Sequence, residues 1–310
     1  MHLKAKSTLP GAISRLRLSH IRQWPLTTLA TLRAIQPAVE NQKLLPISSS
    51  NPPVFSEEQR ALFCEVLQHL NRAAVPYVVS GAFALQKHTG IWRNTKDLDL
   101  FLPPEAVPEA LRHLQEEGFE VEITDPVWLA KAFRAGYFVD LITGMSNAII
   151  KVDQSWIDRG SPAEILGVST RVLAAEELIA SKLFVAFRER FDGADVAHIL
   201  YATRGKLDWR RIRELIGEHW ELLLWELVLF HYIYPACGKD IPHGVWGDLL
   251  GRLRQSLDSP VSNGAFRGSL IDEKMFAIDV YEWGLENLFE QNRQQREPKI
   301  ASVSIVDLTA

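Results

Sequence analysis

Hydrophobic residues recur every three to four positions after Ser56, which is the period of an amphipathic helix. Leu62, Val66 and Leu70 share one face of this segment, and Ser56-Glu57-Glu58-Gln59 has the order of a helix-capping sequence. The spacing predicts a helix through about residue 72. Short apolar runs follow, and they predict strands over 77–80, 96–102, 119–124, 130–134 and 137–143, with helices over 82–88 and 104–117.

From Pro162 the pattern becomes helical, with apolar spacing that predicts helices over 174–190, 194–203, 208–217 and 219–233. A first half of mixed strands and helices, followed by helices alone, predicts the α+β class. The expected architecture is a small sheet with flanking helices and then a helical C-terminal domain. We place these two parts at 54–160 and 161–290.

Both ends of the chain differ from this pattern. Residues 1–50 contain seven Lys or Arg residues and the single acid Glu40, and four prolines interrupt them. This composition predicts a basic, mostly disordered leader over 1–53, for which a targeting segment, an extended start site and a functional role all stay open. The polar residues 291–310 predict a flexible tail.

The charge is unevenly distributed. The whole chain carries −4, so the 260 residues after position 50 carry −10. An acidic body argues against a broad polyanion-binding face, and we expect no DNA binding. A local basic cluster keeps an RNA contact open, and its members are Arg204, Lys206, Arg210, Arg211 and Arg213.

The cysteine count and the hydropathy indicate the compartment. Cys64 and Cys237 are the only cysteines, so they form no disulfide framework, and a reducing compartment is expected. No apolar run reaches the length of a membrane helix. We therefore expect a cytoplasmic protein without membrane contact.

Carboxylates alternate with apolar residues in the strand predicted over 96–102. Asp97 and Asp99 share one face of that strand, and Asp140 lies in the strand predicted over 137–143. Mg²⁺ prefers such oxygen ligands and is commonly completed by substrate phosphates. Without a cation the acids would repel each other. The pattern therefore predicts a metal site that binds a nucleoside triphosphate, although a half-exposed edge strand with solvated acids is the alternative.

Ser80-Gly81 ends the preceding strand and begins a helix. The free N–H groups of a helix start attract phosphate, and glycine allows its close approach. Ser80 and Gly81 therefore predict an anion site.

These residues resemble the nucleotidyltransferase superfamily of DNA polymerase β. The resemblance rests on Ser80-Gly81, then Arg93 and Thr95, then Asp97-x-Asp99 and Asp140, in this order. The segment from Ala175 through Lys182 to Asp195 is similar to bacterial stand-alone members, including AbiE-type toxin relatives. The motifs cover residues 60–205, and a looser likeness extends to about 290. The usual Gly-Gly or Gly-Ser of the phosphate turn is Ser-Gly here.

The resemblance implies a small mixed sheet and a two-metal site. Asp97 and Asp99 would bind two Mg²⁺ ions, for which Mn²⁺ can substitute, and Asp140 would bind the catalytic one. Ser80 and Gly81 would hold the triphosphate. Lys182 would contact the nucleotide, and the helical domain would close over it. The implied reaction moves a nucleoside monophosphate from an NTP, such as ATP, to an acceptor with release of pyrophosphate.

Other roles stay open for single residues. Asp140 could pair with Lys131 or Arg134 across a hairpin, and Lys182 could be a surface lysine on an amphipathic helix. Asp192 is placed to cap the next helix. The joint order of the motifs, rather than any one residue, favours the enzyme.

Two alternative functions also remain. Metal-dependent sugar transferases use an Asp-x-Asp strand to hold a nucleotide sugar, and a catalytically silent nucleotide-binding module of toxin–antitoxin type would keep the same carboxylates. The acceptor is equally open among an RNA end, a protein hydroxyl and a small molecule.

Overall fold

The computed structural model describes residues 48–259 and 264–301. The leader predicted over 1–53 lies outside the described residues up to position 47, and the tail predicted over 291–310 lies outside them from position 302. The described residues belong to one compact unit. Among them, no helix has the length and apolar character needed to cross a membrane.

A seven-stranded mixed sheet forms the centre of the fold, in the order β5-β6-β7-β4-β2-β9-β8. β4 runs parallel to β7 and β2 runs parallel to β9, whereas the other neighbours are antiparallel. The strands of this sheet are β2 (Val78–Val79), β4 (Leu98–Phe101), β5 (Glu120–Asp125), β6 (Leu129–Arg134), β7 (Tyr137–Ile142), β8 (Ser161–Ile165) and β9 (Val168–Val172). Two short strands, β1 (Ser48–Ser49) and β3 (Trp92–Arg93), pair separately.

Helices cover the sheet and continue beyond it, as the α+β prediction requires. Their bounds are α1 (Glu57–Arg72), α2 (Gly81–Thr89), α3 (Val107–Glu116), α4 (Gln154–Arg159), α5 (Ala175–Leu183), α6 (Gly193–Thr203), α7 (Trp209–Ile216), α8 (Trp220–Ile233), α9 (His243–Asp258), α10 (Gly268–Ile271), α11 (Ala277–Tyr281) and α12 (Leu288–Gln295). Single 3₁₀ turns occupy Pro104–Ala106 and Pro235–Asp240.

The predicted start and apolar face of α1 are confirmed. The Ser56 hydroxyl accepts a hydrogen bond from the Gln59 N–H at 3.1 Å, which satisfies one free donor of the first turn. Leu62, Val66 and Leu70 are 0–2% exposed and belong to the main core. A buried stripe of this width attaches α1 to the sheet.

The sheet extends further along the chain than the sequence analysis expects. Residues 161–172, predicted to open the helical half, form the hairpin β8–β9. Leu166 and Gly167 connect its strands with φ values of 51° and 90°. Two successive residues with positive φ give a turn whose twist suits a two-residue hairpin. The helical half therefore begins at α5, after the hairpin. The placing of a domain boundary between residues 160 and 161 stays a prediction.

Helix α5 is shorter than the predicted 174–190, because it ends at Leu183. The chain then turns back on itself, since the Asp192 N–H donates to the Val185 carbonyl at 3.0 Å and Ala186 bridges Phe191. Residues 184–192 therefore form a loop, which places Asp192 beside α5.

Residues 291–301 differ from the flexible tail that their polarity predicts. They begin inside α12, and Ile300 is 4% exposed while its N–H donates to the Pro126 carbonyl at 2.8 Å. Arg293 also forms an ion pair with Asp125 at 2.9 Å. These contacts are made with distant residues, so local composition gave no sign of them.

A buried carboxyl group lies in the helical half. Glu226 on α8 is 3% exposed, and its Oε2 atom has no hydrogen-bond partner among the residues that the structure describes. A Cβ placed on Gly193, the first residue of α6, would lie 2.7 Å from Glu226 Oε1. Burial raises the pKa of Glu226 from 4.5 to about 7, because the charged form loses hydration.

Glu226 should make the stability of the protein depend on pH. Since its pKa is higher in the folded chain, the ionised form destabilises the fold, and stability falls as pH rises from about 4.5 through 7. Glu226→Gln removes this effect and should raise the free energy of unfolding at pH 8 by about 2 kcal/mol. Urea unfolding at pH 5 and pH 8 measures it.

Glu221→Gln is the matched control, because Glu221 lies on the same helix but is exposed. It should leave the pH dependence of wild type unchanged. Equal pH dependence in wild type and Glu226→Gln would contradict an ionisable buried Glu226.

Candidate active site

Three carboxylates meet at one edge of the central sheet. Asp99 lies on β4 and is in direct register with Asp140 on the parallel strand β7, while Asp97 precedes β4 by one residue. Each carboxylate has an oxygen within 4.8 Å of an oxygen of the other two. The structure therefore brings together the three acids predicted from the sequence, which we call the acidic triad.

Burial and mutual repulsion raise the pKa of Asp99 to about 7. Loss of hydration is the largest cause, and the charges of Asp97 and Asp140 add to it. Lys182 and Arg190 act in the opposite direction. Because the ionised carboxylates are destabilised here, a cation bound among the three acids would be stabilised by all of them.

Asp140 forms an ion pair with Lys131, which is one of the two pairings that the sequence analysis left open. Lys131 lies opposite it on β6, and its Nζ donates to Asp140 Oδ1 at 2.5 Å. Lys131 also lies over the Phe138 ring, 4.1 Å from its centroid. Burial nevertheless raises the pKa of Asp140. Asp140 thus has one oxygen held by Lys131 and remains a member of the triad.

The residues that lead into β4 hold their neighbours by hydrogen bonds. Thr95 Oγ1 donates to Asp97 Oδ1 at 2.8 Å and to the Asp97 carbonyl at 3.0 Å, which fixes the carboxylate outside the strand. Arg93 donates from Nε to Asp195 Oδ1 at 2.6 Å. The motif residues Arg93 and Thr95 therefore connect the triad to α6.

Ser80 and Gly81 form the turn at the start of α2, as predicted. Ser80 is 2% exposed and its N–H donates to the Asp99 carbonyl at 2.8 Å, but its hydroxyl does not cap the helix. Gly81 has φ +58°, and a Cβ at this position would lie 1.8 Å from Asp99 Oδ2. Only glycine allows the turn and the carboxylate to approach so closely.

Lys182 is not the surface lysine that its helix also permits. It is 8% exposed, and its Nζ donates to Asp192 at 2.7 Å and to Asp195 at 2.9 Å. Arg190 makes two further hydrogen bonds to Asp192, each of 3.0 Å. Asp192 directly precedes α6, at its N-cap position, but its side chain makes no capping bond, so its expected capping role is replaced by these ion pairs.

A cleft of about 670 Å³ joins the acidic triad to this second cluster. Its lining includes Ser80, Gly81 and the three acids at the sheet edge, and Lys182 and Arg190 on α5 and the loop after it, and we call these two groups the two sides of the cleft. Its volume is in the range of small-molecule sites in proteins. All six predicted site residues therefore share one cleft.

The donor set fits a hard divalent cation. All three groups are carboxylates on two neighbouring strands, and they supply too few ligands to complete an octahedral ion, so water or phosphate oxygens must occupy the other positions. The cleft has acids for a cation at the sheet edge, and across from them Lys182 and Arg190, which pair with Asp192 and Asp195 and still favour a negative charge near Asp99. It can therefore hold a metal-bound polyphosphate.

Residues 59–221 match the family described as "Nucleotidyl transferase of unknown function (DUF2204)". This chain belongs to that family. The match includes both clusters of the cleft and ends at the start of α8. The fold is therefore a nucleotidyltransferase core with a helical region after it, while a specific relation to AbiE-type toxins stays a prediction.

Solved structures with similar folds include three nucleotidyltransferase-type proteins. The antibiotic-resistance factor ANT(2'')-Ia is 16% identical, with 56% of this chain and 97% of that chain covered and a TM-score of 0.38. An antigenic nucleotidyltransferase-like protein from Paracoccidioides brasiliensis is 17% identical, with 61% and 95% covered and a TM-score of 0.38. The lincosamide antibiotic adenylyltransferase LnuA is 15% identical, with 47% and 98% covered and a TM-score of 0.33.

Similarity at this level carries no information about the acceptor of this protein. No curated protein matches the chain in sequence.

Sequence reasoning missed the partners that surround the predicted residues. The ion pairs of Lys182 with Asp192 and Asp195 join positions ten and thirteen residues apart, and that of Arg93 with Asp195 spans 102 residues. A lysine among apolar residues on a helix, followed by two acids after a turn, was the available signal for the first two. No local pattern indicated the third.

The predicted basic cluster near position 210 is largely neutralised. Four of its five members form ion pairs, which are Arg204–Asp240, Arg210–Glu214, Arg211–Glu177 and Arg213–Asp248. Paired arginines attract a polyanion weakly, so this surface gives little support to an RNA contact.

Gly81→Ala should damage the acidic triad without unfolding the protein. The new Cβ would displace the Asp99 carboxylate, so Mn²⁺ binding in titration calorimetry should weaken at least about tenfold. The backbone strain of a positive φ costs about 1 kcal/mol, which thermal unfolding would register.

Gly90→Ala separates the two effects. Gly90 ends the same helix with φ +76°, and a Cβ there would meet nothing within 4 Å. This control should show the strain but keep the Mn²⁺ affinity of wild type. Equal loss of affinity in both variants would contradict the role assigned to the Gly81–Asp99 contact.

Proposed function

We propose that the protein is a magnesium-dependent nucleotidyltransferase. It moves a nucleoside monophosphate from an NTP to an acceptor hydroxyl or phosphate and releases pyrophosphate. The observation that carries this proposal is the cleft in which Asp97, Asp99 and Asp140 face the turn Ser80-Gly81. Membership of the nucleotidyl transferase family supports the reaction class.

Each carboxylate has a separate task in this proposal. Asp97 and Asp99 would hold two Mg²⁺ ions, and Asp140 would share the one beside the attacking acceptor oxygen. The bound ions supply charge neutralisation for the attacking oxygen and the leaving pyrophosphate. Thr95 holds the Asp97 carboxylate and Lys131 holds that of Asp140, so both are oriented before substrate arrives.

The phosphate turn beside the triad would bind the phosphates of the donor, together with Lys182 and Arg190 across the cleft. The free N–H groups at the start of α2 favour an anion there, beside the Asp99 carboxylate whose close approach Gly81 allows. The Ser80 hydroxyl, which does not cap the helix, can donate one more hydrogen bond. Lys182 and Arg190 add positive charge near Asp99, although each also pairs with Asp192.

The chemical step is an in-line displacement at the α-phosphorus. The acceptor oxygen forms a bond to phosphorus as the bond to pyrophosphate breaks, and the acceptor proton leaves to solvent or to a carboxylate oxygen. Such transfers need mainly positioning and charge neutralisation. Both are provided by the triad and the phosphate turn. We place this activity in the cytoplasm, where free thiols such as Cys64 and Cys237 persist.

Asp99→Asn tests the metal site by two effects of opposite sign. Without divalent cations at pH 8, loss of the repelling charge should raise the unfolding free energy by about 1 kcal/mol, since the pKa of Asp99 is raised to about 7. The same change should weaken Mg²⁺-dependent binding of NTPs at least about tenfold, because a ligand is lost. Thermal unfolding with chelator and titration calorimetry measure the two effects.

Asp158→Asn is the control, because Asp158 is exposed and does not line the cleft. It should change neither quantity. Undiminished Mg²⁺-dependent NTP binding by Asp99→Asn would sink the assignment of the triad.

The released product identifies the reaction class. With α-labelled NTP, magnesium and a cell extract that supplies the acceptor, wild type should transfer the label to an acceptor and release unlabelled pyrophosphate, because the bond broken lies between the α- and β-phosphates. A metal-dependent sugar transferase would instead release a nucleoside diphosphate from a nucleotide sugar. Chromatography of the products distinguishes these outcomes, and nucleotide binding without product in a cell extract would indicate the silent module.

A further inference from the structure

The C-terminal segment Gly268–Ile300 lies beyond the family match, yet it contacts loops on both sides of the cleft. The first loop, residues 143–151, directly follows β7 and contributes Met145, Ser146 and Asn147 to the lining. The second is the 184–192 loop after α5, which carries Arg190. We call them the triad-side loop and the cationic loop.

Helix α12 holds the triad-side loop. Arg293 donates from Nη1 to the Ser146 carbonyl and from Nη2 to Asp125 Oδ2, both at 2.9 Å. Arg296, which is 7% exposed, donates to the Thr143 carbonyl at 3.1 Å. A charged side chain buried against backbone carbonyls is retained only where it makes such bonds.

Helix α10 and the residue after it reach both loops. The Asn147 amide, 3% exposed, donates to the Leu270 carbonyl at 3.0 Å. Two residues later, Asp272 accepts from the Arg188 N–H at 3.0 Å. Its other oxygen accepts from the N–H groups of Lys274 and Met275 at 2.9 and 3.0 Å. Asp272 is therefore fixed within the segment while it holds the cationic loop.

The two ends of the segment are also joined to each other. Ser269 is 1% exposed, and its hydroxyl accepts from the Phe289 N–H at 3.4 Å, which connects α10 with the start of α12. Leu270 is 4% exposed. The segment thus forms one packed element with contacts to the triad-side loop at both ends and to the cationic loop through Asp272.

We propose that Gly268–Ile300 is a brace that fixes the separation of the triad-side loop and the cationic loop, with Arg293 and Asp272 as positioning residues for nucleotide binding. This inference rests on the proposed function, because an NTP bound to metal at the triad must reach Lys182 and Arg190 on the other side. A brace that sets this distance beforehand reduces the conformational entropy lost on binding.

The brace predicts a difference between two affinities. The three metal ligands lie on β4 and β7 or directly before them, so Mn²⁺ alone contacts one side of the cleft. An NTP contacts both. Arg293→Ala should therefore leave the affinity for Mn²⁺ within about twofold but weaken Mg²⁺-dependent NTP binding about tenfold. Titration calorimetry on the full chain measures both, first with MnCl₂ and then with each NTP and magnesium.

Three further variants make the test specific. Gln294→Ala is the control on the same helix, since the side chain of Gln294 bonds to exposed Glu290, at 3.1 Å, and it should match wild type in both affinities. Arg293→Lys keeps the charge and the reach to one partner and should recover part of the NTP affinity. If Arg293→Ala does not fold, Asp125→Ala removes one of its two partners and should weaken NTP binding in the same direction.

Hydrogen exchange gives a readout that needs no nucleotide. The N–H groups of Met145 and Val152 close the triad-side loop onto the Ile150 and Thr143 carbonyls, at 3.1 and 2.9 Å. They should exchange faster in Arg293→Ala than in wild type or Gln294→Ala.

The outcomes separate the two proposals. If Arg293→Ala binds NTP as tightly as wild type does, the brace is overturned and the nucleotidyltransferase proposal still stands. Parallel loss of Mn²⁺ and NTP affinity indicates general damage to the site and also overturns the brace. Absence of NTP binding in wild type overturns both.

Discussion

The site depends on the mutual repulsion of three carboxylates that the fold holds close together. Parallel pairing of β4 with β7 places Asp99 directly beside Asp140, and Thr95 holds Asp97 next to them. Three carboxylates at this distance destabilise one another, and burial raises the pKa of Asp99 to about 7. A fold keeps such an arrangement when the binding of a cation compensates for it. The strand order, which puts β4 between β7 and β2, brings the phosphate turn to the same place.

Across the cleft, a second cluster of Lys182 and Arg190 with two acids partly offsets this negative charge. Lys182 is buried between Asp192 and Asp195, and Arg93 ties Asp195 to the strand that precedes the triad. These pairs are internally balanced, so Lys182 is held in place without a ligand. Since Lys182 and Arg190 also act on the charge of Asp99, the two clusters are already coupled. A polyphosphate that bridges them would replace part of this long-range coupling with direct contacts.

The alternation of Asp97 and Asp99 with leucine was enough to predict that their carboxylates lie close together, because strand periodicity fixes which side chains share a face. Ser80-Gly81 was similarly local. The pairing of Lys182 with Asp195 was not predicted, since the loop after Leu183 reverses the chain in a segment whose apolar spacing still favours helix. The hairpin β8–β9 was missed because its turn requires positive φ at Leu166, a residue type that rarely adopts it.

The C-terminal segment shows why local pattern and family membership describe only part of this site. The polar residues from 291 onward predicted a flexible tail, but Arg293 and Arg296 bond to backbone carbonyls more than 140 residues away. Loops 143–151 and 184–192 each bury an apolar residue in the core, Ile150 and Phe184 respectively, and the C-terminal segment adds hydrogen bonds to the backbone of both loops. The strands fix the metal ligands directly, whereas the distance across the cleft is set by a segment outside the matched family region. Divergence of that segment could therefore alter substrate selection while the triad stays unchanged.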